Sequence, residues 1–324
     1  MLVEIRMPMP CTVDEYQIAQ LHMVMEQSKA NSGGGEGVEI LKNERYDNSG
    51  GEHGESERSG TRVPRNKGQF TLKRLLIASK VPGWLSALFT AEAMILWEES
   101  WNAFPDCRTV LTSAYVSPET FKIDCRSFHA AGPPHLENAL GLSQEELEAR
   151  KVITLDITDP EANGVKAPLR NDPCDRVSSR AMRGPTRQRA RRGNGTAAAT
   201  TSVEGDDKYG IEDGVEDDGS RLPWRKQSSE SGPWWESYPG PVMTCYKLFR
   251  IDFKVLLFQT ALESFVVTMN RKLLTTAHRA LVGSTDSWFG LRMLRLRELE
   301  EASRKELEKL KESAELACSI EVET

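Results

Sequence analysis

Most apolar segments of this chain follow the two-residue period of β-strands, and few helical segments separate them. Near the N-terminus, Val3, Ile5 and Met7 alternate with charged residues, so they share one face of a predicted strand. Further strands are expected from Gly37, from Gly68, and over 107–116, 120–128, 152–157 and 243–253. Because strands that follow one another without an intervening helix pair as neighbours, the predicted sheet is largely antiparallel.

Helical spacing is confined to a few segments. Thr12 and Glu15 have the spacing of a capping box, which predicts a helix from Val13 to about Gln27. Apolar residues every three or four positions predict a second helix over 258–281 and a last one over 293–318. We therefore expect an α+β fold in which a curved, mostly antiparallel sheet is gripped by long helices.

Composition and motif content exclude several functional classes. The chain has 324 residues, and 42 Lys and Arg against 48 Asp and Glu give a formal net charge of −6, which does not favour a nucleic-acid binder. The 6 cysteines and 5 histidines lack zinc-ligand spacing, and no nucleophile or phosphate-loop motif is present. We predict reduced thiols, no metal, no cofactor and no catalytic residue. Without a signal peptide or an apolar membrane span, the expected location is cytoplasmic.

Two stretches of low complexity interrupt the pattern. Residues 49–67 are polar and glycine-rich, and are expected to be a long hairpin connection or an insertion. Within 176–220, seven arginines precede eight acidic residues and large apolar residues are almost absent. We expect one domain over 1–324 with a disordered charged insertion at 186–232. A solvated linker is favoured for the arginines over a nuclear-targeting or anion-binding patch.

Some polar side chains occupy positions where the pattern calls for apolar ones. Lys247 shares its predicted strand face with Cys245 and Phe249, and Ser127 is likewise placed on an inward face. A buried ammonium needs a counter-charge, which either a carboxylate from a helix or a bound phosphate would supply. Gln20 lies on the same helix face as Tyr16. Each residue alone fits an ordinary core, whereas together they suggest a lined cavity for an anionic ligand.

Seven motifs occur in order that resemble the phosphatidylinositol transfer proteins. They are DEYQIAQL (14–21), GGGEGVEIL (33–41), GQFTLK (68–73), SKVPGW (79–84), EESWNAFPDCRT (98–109), MRGP (182–185) and CYKL (245–248). The resemblance runs to about Lys305. It implies a START-like helix-grip fold that encloses one phospholipid in a cavity, with the C-terminal helix as part of the lid. EESWNA is closer to the retinal-degeneration branch, some of which bind phosphatidic acid.

The resemblance also assigns headgroup contacts, residue by residue. It places inositol contacts at Thr71, Lys73, Asn102 and Glu300, and phosphate contacts at Gln20, Thr109, Ser127 and Lys247. Lys247 would supply charge to the phosphodiester, while hydroxyls and an amide meet its other oxygens. Three of these residues, Gln20, Ser127 and Lys247, also stand out from the pattern alone.

Membrane docking and modification are assigned less directly. Val255 and Leu256 align with a tryptophan pair that docks on membranes in many relatives, and Trp84 or the Trp234–Trp235 pair are alternative contributors. Ser178 or Ser179 aligns near a phosphorylatable serine, with an unmodified loop residue as the equal alternative.

The resemblance implies a monomeric, non-enzymatic carrier that associates transiently with membranes. It would bind phosphatidylinositol and also phosphatidylcholine, exchange them between membranes, and present phosphatidylinositol to lipid kinases. The alternative is a sensor or adaptor that binds phosphatidylinositol or phosphatidic acid without bulk transfer.

Overall fold

An eight-stranded sheet carries its two long helices on one of its faces. The computed structural model describes residues 1–30, 37–51, 54–77, 90, 92–159, 232–254, 258–303 and 305. Within these residues the strands are β1 (Leu2–Met9), β2 (Gly37–Asp47), β3 (Lys67–Leu76), β4 (Ile95–Ala103), β5 (Asp106–Ser113), β6 (Phe121–Ala131), β7 (Lys151–Thr154) and β8 (Met243–Phe253). The helices are α1 (Val13–Ala30), α2 (Gln144–Ala149), α3 (Trp234–Ser237), α4 (Gln259–Gly283), α5 (Thr285–Trp288) and α6, whose helical residues are 293–303.

The strand order in the sheet is β2-β3-β4-β5-β6-β8-β1-β7. Every neighbouring pair is antiparallel except β1 with β7, which run parallel. The predicted α+β class with a mostly antiparallel sheet is therefore confirmed.

The helix that follows β1 begins as its capping signal predicts. The Thr12 backbone N–H donates to the Glu15 carboxylate at 2.8 Å, and the Glu15 N–H donates to Thr12 Oγ1 at 3.2 Å. These two bonds satisfy backbone donors that the first helical turn would otherwise leave open. The helix extends to Ala30, slightly beyond the predicted end.

Strand β4 and the short helices α2, α3 and α5 were not predicted. In β4, Glu98, Ser100 and Asn102 alternate on the face that the helices cover, so polar residues stand where a core strand usually has apolar ones. Leu96 on this face and Glu99 on the other break the two-residue alternation, which hides the strand from a hydrophobicity argument. Helix α2 has only 6 residues, too few for a periodic signal, although Ser143 and Glu146 form a complete capping box.

The main hydrophobic core lies between the sheet and helices α1, α4 and α5. Its sheet residues include Val3, Ile5, Met7, Ile123, Cys125, Cys245, Phe249 and Ile251, and its helix residues include Tyr16, Ala19, Leu262, Leu281 and Trp288. A smaller cluster of Leu140, Leu142, Tyr246 and Leu248 covers the opposite face. Alternate residues of β8 thus contact opposite layers, as strand geometry requires.

The connection between β2 and β3 packs against the sheet over its described part. Ser59 and Thr61 are buried, and Ser56 Oγ donates to Glu99 Oε1 at 2.6 Å. The Arg108 guanidinium donates to the Arg62 carbonyl at 2.9 Å. Glu99 and Arg108 are out of phase with Asn102 and the other helix-side residues, so this connection covers the opposite face of the sheet.

Candidate functional site

The strand register brings six of the predicted headgroup residues onto one face of the sheet. One cross-strand row consists of Gln69, Asn102, Cys107, Ser127, Lys247 and Ile5, and the next consists of Thr71, Ser100, Thr109, Cys125, Phe249 and Val3. Lys73 is paired with Glu98 in a third row. Directly opposed residues point to the same side of a sheet, so Thr71, Lys73, Asn102, Thr109, Ser127 and Lys247 face the helix layer together.

Lys247 has a hydroxyl partner but no acidic one among the described residues. Its Nζ donates to Ser127 Oγ at 3.0 Å, and the two residues are directly opposed on β8 and β6. No carboxylate in the described parts of the chain forms a salt bridge with it. Of the two expected counter-charges, a carboxylate from a described helix is therefore excluded.

The thiols around Lys247 differ in their electrostatic state. Burial raises the pKa of Cys107 to about 12 and that of Cys125 to about 11, so both are neutral near pH 7 and give the ammonium no counter-charge. Burial also acts to raise the pKa of Cys245, but His129 and Lys247 outweigh that effect and lower it to about 7. The Cys107 thiol donates to Asn102 Oδ1 at 3.1 Å, which orients the Asn102 amide.

The inositol end of the predicted site contains an ion pair that sequence reasoning missed. Lys73 Nζ lies 2.8 Å from Glu98 Oε1, and the two side chains are only 18% and 19% exposed. Glu98 carries the signal that would have found it, because it alternates in phase with Asn102 once 95–103 is recognised as a strand. The pair places a cation and an acceptor side by side, which suits a ring of hydroxyls.

A second unpredicted polar residue links the two ends of the site. Ser100 lies between Thr71 and Thr109 in its row, and its hydroxyl is 2.9 Å from Thr109 Oγ1. Thr71 was assigned to inositol and Thr109 to phosphate. The hydroxyls of this row therefore run continuously from one assigned subsite to the other.

Gln20 lies on α1, the helix that packs on the sheet through Tyr16 and Ala19. It lies one turn after Tyr16, whose ring packs 5.1 Å from the His129 ring of β6. Tyr16 also donates to His278 Nε2 at 2.8 Å, since His278 Nδ1 donates to the Leu274 carbonyl at 2.7 Å. Gln20 is partly buried, and no described residue forms a hydrogen bond with it.

Glu300 is not joined to the other predicted inositol contacts. It lies on α6 with 27% of its side chain exposed, and it accepts a hydrogen bond of 2.6 Å from Arg297. Within the described residues, no hydrogen bond or ion pair connects it to Thr71, Lys73 or Asn102. The structure thus assembles the strand part of the predicted site and leaves its α6 contact separate.

Other predicted functional positions lie outside the described residues. These are Val255 and Leu256 for docking, Trp84, and Ser178 and Ser179 for phosphorylation, together with the arginine-rich stretch. In the parts of the chain that are described, no group of three His, Cys, Asp or Glu side chains is placed to hold a metal. None of the described helices combines the length and apolar character needed to cross a membrane.

Comparison with known proteins identifies the family. The family model described as phosphatidylinositol transfer protein matches residues 1–201 and 216–305. Phosphatidylinositol transfer protein 1 of Dictyostelium discoideum is 32% identical over 94% of this chain and 94% of its own length. The beta isoform of Homo sapiens is 29% identical over 96% of this chain and 94% of its own length. Protein retinal degeneration B of Drosophila melanogaster is 31% identical over 95% of this chain, which corresponds to 21% of that longer protein. The sheet, with its polar face covered by helices, is consistent with these matches. The chain belongs to the phosphatidylinositol transfer protein family.

Proposed function

We propose that this protein carries one phosphatidylinositol molecule with its phosphate at Lys247 and exchanges it between membranes. The observation that carries the proposal is the position of Lys247, which is partly buried, bound to Ser127 at 3.0 Å, and without a carboxylate partner among the described residues. Cys245, with its pKa lowered to about 7, gives this ammonium only a partial counter-charge, and an anion that enters with the ligand would stabilise it further. A phosphodiester fits because it brings charge and several acceptor oxygens at once.

The inositol ring would occupy the β3–β4 end of the same face. Thr71, the Lys73–Glu98 pair and Asn102 supply a hydroxyl, an ion pair and an amide on adjacent strands. Inositol hydroxyls both donate and accept, so all of these groups find partners. Choline has no hydroxyl to offer them. We therefore propose that phosphatidylcholine is carried through the phosphate subsite alone and phosphatidylinositol through both.

Gln20 and Thr109 complete the proposed phosphate subsite, and Glu300 completes the inositol subsite from α6. For Glu300 to reach the ring it must exchange its Arg297 partner for inositol hydroxyls. That exposed pair is weak enough to be exchanged, since ion pairs between neighbouring turns of a helix contribute little. Helix α6 would then close over the headgroup as part of the lid.

The proposed organisation is a single domain with a charged insertion at 186–232. The family match supports an interruption inside that range, because the matched residues end at 201 and resume at 216. The described part of 49–67 contributes buried residues to the sheet surface, which supports a hairpin connection there.

Transfer of labelled lipid between two vesicle populations tests the proposed function. The wild-type protein should move phosphatidylinositol and phosphatidylcholine. Lys247→Ala should slow both by at least about tenfold, because a charge-assisted contact is lost. Lys254→Ala, an exposed lysine just after β8, is the matched control and should transfer normally. Tight lipid binding without transfer would favour the sensor or adaptor instead, and normal transfer by Lys247→Ala would refute the phosphate assignment.

A further inference from the structure

An exposed segment between α5 and α6 combines apolar and basic side chains. We name residues 289–297 the 289–297 corner. Phe289 is 55% exposed, and Leu294, at 76%, is the most exposed large hydrophobic side chain in the described parts of the chain. Gly290 has a φ of 82°, a conformation that favours glycine, and it turns the chain sharply between the two helices. This turn places Phe289 at the entrance to α6.

The same corner concentrates positive charge in an acidic chain. The sequence 289–297 reads FGLRMLRLR, with three arginines and no acid, whereas the whole chain has a formal charge of −6. Arg292 is exposed, and the side chains of Arg295 and Arg297 are 62% and 45% exposed. A local basic cluster of this kind is therefore not a consequence of overall composition.

Ion pairs within α6 leave these arginines available to bind a lipid phosphate. Arg295 pairs with Glu298 at 2.8 Å and Arg297 pairs with Glu300 at 2.6 Å, each three residues apart on the helix surface. Exposed pairs of this type contribute only about 0.5 kcal/mol, so a lipid phosphate competes with them readily. Arg292 has no ion pair among the described residues.

The buried side of α6 fixes which residues point outward. Leu296 is 0% exposed and Ser303 is 4% exposed, so these mark the face that packs on the protein. Leu294 and Arg295 lie away from that face and beside each other at the start of the helix. An exposed leucine next to arginines at a helix end is the arrangement of an interfacial membrane contact, where the apolar group enters and the cations bind phosphates.

The structure also removes one of the expected docking residues. Trp234 is 3% exposed, its ring packs edge-on against Trp235 and Tyr238, and its indole N–H donates to Asp156 Oδ1 at 3.1 Å. It is a core residue, so the Trp234–Trp235 pair cannot dock through it. A docking contact on the described surface would be a further one, because the other expected docking residues lie outside the described part of the chain, namely Trp84, Val255 and Leu256.

We propose that the 289–297 corner docks this protein onto anionic phospholipid membranes. Phe289 and Leu294 enter the headgroup region, and Arg292 and Arg295 bind lipid phosphates. The inference rests on the proposed function in taking a membrane as the partner. The proposal also has a consequence for the headgroup site. A lipid phosphate that binds Arg297 would release Glu300, the residue that pairs with Arg297 on α6.

Vesicle flotation tests docking without measuring transfer. The probes are vesicles of phosphatidylcholine alone and of phosphatidylcholine with about one quarter phosphatidylserine. Wild-type protein should float with the anionic vesicles. The double variant Arg292→Glu/Arg295→Glu should bind them at least about 25-fold more weakly, since each lost basic residue near the surface costs about fivefold. Leu294→Ser should bind about tenfold more weakly while keeping its dependence on salt.

A matched charge control keeps the result specific. Arg65→Glu/Lys151→Glu makes the same charge change at exposed residues of the β2–β3 connection and of β7, and should float like the wild type. Thermal unfolding of every variant confirms that it is folded. Flotation of both corner variants at wild-type levels would overturn the proposal.

Two further outcomes separate this proposal from others. Suppose that the wild type floats, that the corner variants float less, and that the wild type transfers no lipid. The proposed carrier function then fails and the docking surface stands. If the wild type does not float and elutes as a dimer that Leu294→Ser converts to a monomer, the corner is covered by a second copy and the membrane assignment is wrong.

Discussion

Lys247 and Ser127 face each other across β8 and β6, and the lysine donates to the serine hydroxyl at 3.0 Å. Main-chain hydrogen bonds of the two strands fix this relationship, because the residues are directly opposed in the register. An ammonium has three donors, so two remain for a ligand after this bond. Ser127 therefore orients the charge that we assign to the phosphodiester.

Replacing Ser127 tests this orientation. Ser127→Ala should slow transfer of both phosphatidylinositol and phosphatidylcholine by about fivefold to tenfold, because one hydrogen bond to a charged group is lost from a subsite common to both lipids. Ser127→Thr keeps the hydroxyl and should restore most of the rate. Transfer between labelled vesicles measures both lipids. An unchanged rate for Ser127→Ala, or equal loss in Ser127→Thr, would contradict the assigned role.

The second prediction concerns Thr71, at the inositol end of the site. Thr71→Val keeps the shape of the side chain and removes its hydroxyl, so phosphatidylinositol transfer should fall about tenfold while phosphatidylcholine transfer is largely spared. Thr112→Val makes the same change on the opposite face of β5 and should leave the ratio of the two rates unaltered. Equal loss of both lipids in Thr71→Val would refute an inositol contact.

The third prediction concerns Glu98, which the sequence did not assign to the site and the structure places there. Glu98→Gln leaves the Lys73 ammonium without its partner at 2.8 Å and removes a charged acceptor for inositol hydroxyls. Phosphatidylinositol transfer should fall by about tenfold, and phosphatidylcholine transfer should change less than threefold.

Glu99→Gln is the matched control for Glu98→Gln. Glu99 is the next residue of the same strand but faces the β2–β3 connection, where it accepts from Ser56. It should affect stability rather than the ratio of the two transfer rates. Selective loss of phosphatidylinositol transfer in Glu99→Gln would show that the ratio reports strand damage instead of a headgroup contact.

Sequence reasoning predicts the strands that carry Thr109, Ser127 and Lys247 but misses β4, which carries Asn102. The helix-side residues of β1 and β8 are apolar because they fill the core, and Lys247 stands out against that background. In β4 the helix side carries Glu98, Ser100 and Asn102 but also the apolar Leu96, and Glu99 is polar on the other side, so the alternation that marks a strand is broken. Asn102 was reached through its motif, whereas its neighbours in the same phase were not.

The position of α6 is a second limit of the sequence. A helix from Met293 follows from its spacing, and residues 293–303 are helical. The spacing does not predict the ion-pair partner of Glu300, because basic residues one turn before it and one turn after it are equally well placed. Among the described residues, the pair formed is with Arg297 at 2.6 Å.

Beneath the phosphate subsite, Tyr16 on α1 and His278 on α4 form a buried hydrogen bond of 2.8 Å between the two long helices. Burial lowers the pKa of His278 to about 4, and the nearby Lys247 and His129 act in the same direction. The neutral imidazole accepts from Tyr16 and donates to the Leu274 carbonyl, so both nitrogens are satisfied only without an extra proton.

This arrangement predicts a loss of stability in mild acid. His278 titrates near 4 in the folded protein and near 6.5 when unfolded, so the unfolded chain binds the additional proton first as the pH falls below 6.5. The contribution is complete above that value and is lost progressively toward pH 4, amounting to about 2 kcal/mol by about pH 5. The free energy of unfolding, measured with urea, should therefore drop between about pH 7.5 and about pH 5 in the wild type. In His278→Gln, whose side chain cannot titrate, this drop should be smaller by about the same amount. An equal drop in both proteins would mean that other groups control the acid sensitivity.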